Sequence, residues 1–157
     1  MNKIKWTELL IFIIGTELVG ALSSLLSGNF SSFYSGLTRP PLSPPGILFP
    51  IVWAILYALM GISAYMVYVS DSDEDEKKKA LGLYALQLFV NFMWSIVFFR
   101  FEQVGAALAV LILLIILVVM MILSFRRIRP LAGYLNIPYL LWLIFAAYLN
   151  TGILILN

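Results

Sequence analysis

Asn91-Phe92-Met93-Trp94-Ser95, and Pro138-Tyr139-Leu140-Leu141-Trp142 running on to Phe145 and Asn150, set amides, indoles and hydroxyls inside long apolar stretches. In hydrocarbon an amide or indole N–H without a partner costs several kcal/mol, so these groups must face the protein interior, a bound molecule or both. The chemistry open to them is recognition by stacking and a few hydrogen bonds, and electron donation from an indole. Much else is closed, because the chain contains no Cys and no His. That removes disulfides, thiolate nucleophiles, Cys/His zinc sites, catalytic histidine and the commonest axial haem ligand together. Glu17 is the one ionisable group near the middle of an apolar segment. A group so placed is either neutral or partnered, and a functional role and a helix-packing hydrogen bond to Ser, Tyr or Asn account for it equally well.

The elements that carry these residues can be read from composition. The chain is 62% hydrophobic and 11% charged, against about 45–50% and about 25% in a soluble domain, which excludes a water-soluble fold. Apolar segments predict helices over 5–27, 47–69, 79–100, 104–125 and 131–156, each near or above the roughly 20 residues that cross about 30 Å of hydrocarbon. Val104 to Leu123 holds no charged side chain and little alternation, which excludes the strands of a membrane barrel. The expectation is an all-α membrane protein, a single bundle of five transmembrane helices forming one domain over 1–157.

Lys3, Lys5, Lys77, Lys78, Lys79, Arg126, Arg127 and Arg129 fall on one side of such a bundle, and only Arg39 and Arg100 on the other. By the positive-inside rule the N-terminus is cytoplasmic and the C-terminus outside, in a multi-pass protein of the cell membrane if the source is bacterial. Topology accounts for the basic residues, and nothing points to nucleic acid. The basic start and apolar run to Ala21-Leu22-Ser23 imitate a signal peptide, but an uncleaved first helix is the better reading.

The loop over 28–46 ends in Arg39-Pro40-Pro41-Leu42-Ser43-Pro44-Pro45-Gly46. Prolines fix φ and carry no N–H, so this stiff segment is expected to lie as a lid over the outer mouth; a helix stop and then a Pro-initiated second helix is the alternative. Ser70 to Lys79 carries five acidic residues and three lysines and is expected to be a solvated cap, without the spacing or Gly of a calcium loop. The remaining connections are short, so sequential helices pack antiparallel. No inverted repeat is visible.

Helical spacing collects the candidate site. On the third helix Tyr84, Gln87, Asn91, Trp94, Ser95 and Phe98 form one stripe; on the second, Trp53, Tyr57, Gly61, Ala64 and Tyr68; on the fifth, Pro138, Trp142, Phe145 and Leu149, with Ala146 and Asn150 on the adjoining edge. Core packing and interfacial belts produce such stripes too. Depth favours a ligand, since Trp94 and Trp142 lie well inside their segments. The fourth helix has no stripe, and its Gly105-x-x-x-Ala109 start suits close packing against a neighbour or a second subunit.

The ordered set Arg39 to Gly46, Phe49-Pro50-Ile51-Val52-Trp53, Leu56-Tyr57, Met60-Gly61, Leu83-Tyr84, Gln87-Leu88, Asn91-Phe92-x-Trp94-Ser95, Phe98-Phe99, Pro138-Tyr139-Leu140-x-Trp142, Phe145-Ala146 and Leu149-Asn150 resembles the TspO/MBR family, the tryptophan-rich sensory proteins related to the mitochondrial translocator or peripheral benzodiazepine receptor. The resemblance implies a five-helix homodimer in membrane lipid that binds porphyrins and isoquinoline-carboxamide or benzodiazepine-type drugs in a pocket beneath the first loop. It also implies a link to light-dependent breakdown of protoporphyrin IX, tetrapyrrole traffic and stress responses. The family's two pocket tryptophans correspond to Trp53 and Trp142, and Asn91, Trp94, Phe145, Ala146 and Leu149 match lining positions. The cholesterol pattern of animal relatives needs a basic residue after Tyr148, and there is none.

Together these expectations place Trp53, Trp94, Trp142 and Phe145 around a flat macrocycle, with Asn91 as its hydrogen-bonding anchor and Tyr57, Ser95, Ala146, Leu149 and Pro44 beside it. Arg39 would meet the porphyrin carboxylates at the water end. No cofactor is required; a porphyrin is ligand or substrate, with no protein ligand for a metal, and Trp53 and Trp142 are the candidate redox residues. A non-catalytic sensor or transporter of porphyrins or lipids, gated by the first loop, is the alternative.

Overall fold

Hydrocarbon leaves the backbone no partner but itself, and the described residues, 3–28 and 30–157 of a computed structural model, answer with helices and no strand. They are α1 (Trp6–Leu26), α2 (Phe30–Ser35), α3 (Leu48–Tyr68), α4 (Glu74–Ser95), α5 (Val104–Ile128), α6 (Pro130–Tyr134) and α7 (Ile137–Leu156). Five spans are long and apolar enough to cross a membrane: Trp6–Leu26, Leu48–Tyr68, Glu74–Arg100, Val104–Ile128 and Pro130–Leu156.

Two boundaries differ from expectation. α4 starts at Glu74, earlier than expected, so that Glu74, Asp75 and Glu76 occupy its exposed first turn, where the helix dipole favours negative charge. Lys77 reaches back to the Ser70 carbonyl at 3.0 Å. α5 continues to Ile128 because Arg126 and Arg127 suit a helix C-terminus. The last span is broken at Leu135–Asn136, and Pro138 sits in the first turn of α7. Pro138 is therefore a helix starter, exposed at its position, and does not join the interior stripe.

At its other end α4 passes into a π-helical turn over Ile96–Arg100, with Phe101 N–H donating to the Ile96 carbonyl at 3.0 Å. This turn matters for the site. In a regular helix Phe98 shares a face with Trp94 while Phe99 points about 100° away. The widened turn brings both rings to Trp94, with centroids at 5.7 Å and 6.0 Å.

Small residues decide how α1 sits. It packs into the groove between α3 and α4, where a Cβ at Gly61 would lie 2.8 Å from Ile13 Cα and the Phe12 carbonyl oxygen. Gly20 likewise abuts the Tyr57 ring. Thr16 hydrogen-bonds the Tyr84 hydroxyl, and Ser23 Oγ donates to the Phe92 carbonyl at 3.1 Å. α5 packs against α4 and α7 through Ala107, Leu111, Leu114, Val118, Met121 and Phe125, all fully buried. Gly105 and Ala109 are exposed, and nothing approaches a Cβ at Gly105 closer than 3.8 Å, so no neighbouring helix in this chain uses that pair for close packing.

Within the 28–46 loop, Asn29 lies outside the described residues. The loop is not wholly extended, because α2 forms before the prolines. The stretch from Thr38 to Pro41 is fastened to the end of α7: Tyr148 OH donates to the Pro41 carbonyl at 2.5 Å, Asn157 pairs with the Thr38 backbone through both amide atoms at 2.8 and 3.1 Å, and Pro40 covers Gly152. Tyr34 OH donates to the Pro44 carbonyl at 2.7 Å, and the Arg39 guanidinium stands 4.5 Å over the Tyr34 ring.

Candidate functional site

The groove that α1 fills is not filled along its whole length. Toward the end of the bundle that carries the 28–46 loop it widens into a cavity of about 330 Å³, near the lower end of the range for small-molecule sites. α1 contributes a polar wall of Glu17, Gly20, Ala21, Ser23, Ser24 and Ser27; α3 contributes Phe49, Pro50, Trp53, Ala54 and Tyr57; α4 and its π turn contribute Trp94, Ser95 and Phe99. The Trp53 indole stacks on Tyr57 at 5.4 Å and tilts against Trp94 at 6.4 Å, so three rings form one continuous aromatic wall. Ala21, Ser24, Pro50 and Ala54 are exposed as well as lining, which puts the cavity's mouth sideways between α1 and α3.

Behind this wall runs a chain of hydrogen bonds through three helices. Tyr57 OH donates to Asn91 Oδ1 at 2.8 Å, Asn91 Nδ2 to the Tyr139 hydroxyl at 2.7 Å, and Tyr139 OH to Gln87 Oε1 at 2.7 Å. Asn91 is thus the tie between α3, α4 and α7, fully buried with both amide atoms engaged, and it does not reach the cavity as the expected ligand anchor. Tyr139 also supports the wall from behind, edge-on to Trp53 at 6.1 Å. Trp94 Nε1 donates to Asn150 Oδ1 at 3.2 Å, and Asn150 Nδ2 to the Val104 carbonyl at 2.9 Å, so the deep indole and the deep amide satisfy each other.

Of the residues singled out from sequence, Trp53, Tyr57, Trp94 and Ser95 line the main cavity. Ala146 and Leu149 line a narrow crevice on the far side of Phe49, Trp94 and Phe99, with Tyr34 at its loop end. Trp142 and Phe145 border neither space. Trp142 packs edge-on to Phe49 at 5.7 Å and against Phe145 at 5.5 Å, so Phe49 stands between the two tryptophans that were expected to share a slot. Its Nε1 is buried with no hydrogen-bond partner. Pro44 and Arg39 are held at Tyr34 in the loop and do not line the main cavity, and no residue of the 28–46 loop does so among the described residues. The loop borders instead an adjoining open recess, where Ser32, Phe33, Gly36 and Leu37 face Ser27, Phe99, Arg100 and Glu102. Among the described residues no group of His, Cys, Asp or Glu is placed to hold a metal.

A family profile described as TspO/MBR matches residues 10–156 of the chain. The chain belongs to the TspO/MBR family. Relatives agree: it is 39% identical over 127 residues to the tryptophan-rich protein TspO of Chlorobaculum tepidum, covering 81% of this chain and 80% of that one. It is 36% identical over 143 residues to the translocator protein of Sus scrofa, covering 87% and 85%. It is 32% identical over 152 residues to the tryptophan-rich sensory protein of Cereibacter sphaeroides, covering 97% and 92%.

This TspO/MBR membrane protein builds its cavity partly from residues that the sequence stripes do not include. The α1 wall is one such part: its Gly20, Ser23 and Ser27 continue a stripe from the buried Thr16 at three- and four-residue steps, which marks a helix face meeting its neighbours closely. Tyr139 falls off the Pro138–Trp142–Phe145 stripe because the buried face of α7 is the adjoining one, carrying Tyr139, Leu143, Ala146, Asn150 and Ile153. Phe99 becomes a wall only through the π turn, for which the sequence carries no plain signal.

Proposed function

We propose that the cavity between α1, α3 and α4 binds a flat, largely apolar tetrapyrrole, protoporphyrin IX or a relative of it, within the membrane. The observation that carries this is the continuous wall of Trp53, Tyr57 and Trp94 facing an open cavity. Stacking on such a wall and burial of the ring supply affinity, and few polar anchors are needed. The crevice lined by Ala146 and Leu149 shares Phe49, Trp94 and Phe99 with the cavity, so a turn of the Phe49 ring joins the two and admits a macrocycle larger than either alone. The same turn exposes the unpartnered Trp142 N–H, which a ring nitrogen or carbonyl of the ligand then satisfies. Carboxylates on the ligand edge reach toward Arg100, beyond Ser27 and Phe99, and not toward Arg39, which is occupied with Tyr34.

Light-dependent breakdown of the bound porphyrin is the activity this reading extends to. The excited ring takes an electron from the Trp53 indole and passes it to dioxygen as superoxide. The indole cation recovers an electron from the ring, and the ring cation combines with superoxide so that both oxygen atoms add at a methine bridge, a sequence whose net change is ring plus dioxygen and which needs no acid–base group. Trp53 borders the ligand directly, while Trp142 meets it only when Phe49 turns. Titration of the purified protein with protoporphyrin IX, and then illumination with and without oxygen, tests both parts. Saturable binding in the dark and loss of the porphyrin spectrum only in light with oxygen are expected. Trp53→Phe should keep binding within a few-fold and lose most of the photochemistry, with Trp142→Phe affected less. Ligand released unaltered after illumination would favour the carrier reading. The loop as its gate has little support, since it is fastened to α7 and gives no side chain to the main cavity. Isoquinoline-carboxamide or benzodiazepine-type drugs fit the same wall. The homodimer is retained, with exposed Gly105 and Ala109 as small residues available for close approach.

A further inference from the structure

Glu17 is a carboxyl group in the middle of a membrane span that lines the cavity and makes no hydrogen bond or ion pair among the described residues. It stands nine residues before the end of α1 at Leu26, about 14 Å along the helix axis and out of reach of lipid headgroups at that end. No Lys or Arg lines the cavity with it: α3 and α4 offer only aromatic, apolar and hydroxyl side chains. Two of the α1 hydroxyls are spent on backbone carbonyls, Ser23 on Phe92 and Ser27 on Ser23. An anion in such a place needs a counter-charge from outside the chain, and the three rings opposite it attract cations through their faces.

We propose that this cavity also binds lipophilic organic cations, with Glu17 as their counter-ion and Trp53, Tyr57 and Trp94 as the aromatic wall. The ligand class is a free apolar amine or quaternary ammonium small enough for about 330 Å³. It arrives through the sideways mouth, edged by Ala21, Ser24, Pro50 and Ala54, from the acyl-chain region where such molecules accumulate. The proposal rests on this cavity being the tetrapyrrole site and adds a charge preference to it.

The test compares 4-phenylbutyl-trimethylammonium with its neutral tert-butyl analogue, carbon replacing nitrogen, on the full chain in nanodiscs. Intrinsic tryptophan fluorescence reads binding, and displacement of protoporphyrin IX reports the shared site. The wild type should bind the ammonium at least tenfold more tightly than the neutral probe. Glu17→Gln should erase that ratio while leaving neutral-probe affinity and melting temperature unchanged, and Glu17→Asp should keep part of it. Ser24→Lys, seven residues on along the same face, should erase it too by supplying a resident ammonium, which keeps the test decisive if Glu17→Gln does not fold. Equal affinity for the two probes, or a preference that survives both variants, overturns the proposal and leaves tetrapyrrole binding standing. Failure of both probes with protoporphyrin still bound does the same. Failure of all three ligands removes both readings.

Discussion

The Tyr139 hydroxyl accepts from Asn91 and donates to Gln87, so one oxygen closes two interhelical bonds among fully buried side chains. Tyr139→Phe therefore strips a partner from two buried groups at once and leaves both amides unsatisfied. Interhelical hydrogen bonds in membranes average about 0.6 kcal/mol, but a buried group left unpaired costs about 1–3 kcal/mol. A loss of about 1–3 kcal/mol, read as a melting shift of several degrees by tryptophan fluorescence, is the expected result. Trp94→Phe should behave similarly, because it orphans Asn150 Oδ1. Melting curves equal to wild type in both variants would mean that these bonds are replaced and do not specify the bundle. At this scale the sequence was legible in part: the rule that deep polar groups need partners found Asn91, Trp94 and Asn150. Which partner each group takes was not legible, because the choice between a ligand and a second side chain depends on positions fixed only when three helices meet.

Among the elements, α1 is the one whose placement depends most on absent side chains. Gly61→Ala puts a methyl carbon 2.8 Å from α1 backbone atoms, which cannot move aside as a flexible side chain can. We expect a loss of about 2 kcal/mol or more. Gly82→Ala, where nothing lies within 4 Å, should be neutral or stabilising by up to about 1 kcal/mol from helix propensity. Equal behaviour of the two variants in a thermal melt would contradict the packing described for α1 and α3. The loop gives a second test at this scale. Tyr148→Phe removes the bond to Pro41 and should leave porphyrin affinity within twofold, whereas a gating loop would change both affinity and rate. Helix positions were readable from hydropathy to within a residue or two, apart from the ends where charge suits the helix dipole. The π turn and the break before α7 were not readable, since both depend on local backbone choices that hydrophobic periodicity averages over.

At the scale of the whole molecule, charge decides which way the bundle stands. The eight-to-two distribution of Lys and Arg predicts the N-terminus inside and the 28–46 loop outside. Because the chain has no Cys, a single Cys at Lys3, Ser72 or Leu42 gives an unambiguous labelling map with an impermeant maleimide in intact cells. Labelling of the Leu42 variant alone is expected; labelling of the Lys3 variant would invert the topology. In the predicted orientation the cavity's sideways mouth would open to the outer half of the bilayer, nearer the loop end.

The most direct test of the central claim is to fill the cavity and measure protoporphyrin IX binding in the dark. Ala54 lines the mouth and is exposed, so Ala54→Trp adds bulk there without displacing core side chains. Ala85→Trp does the same at an exposed position of α4 outside the cavity. We predict at least tenfold weaker binding for Ala54→Trp with an unchanged melting temperature, and wild-type binding for Ala85→Trp. Wild-type affinity in Ala54→Trp would contradict the account, because the ligand would then be bound somewhere other than the space walled by Trp53, Tyr57 and Trp94.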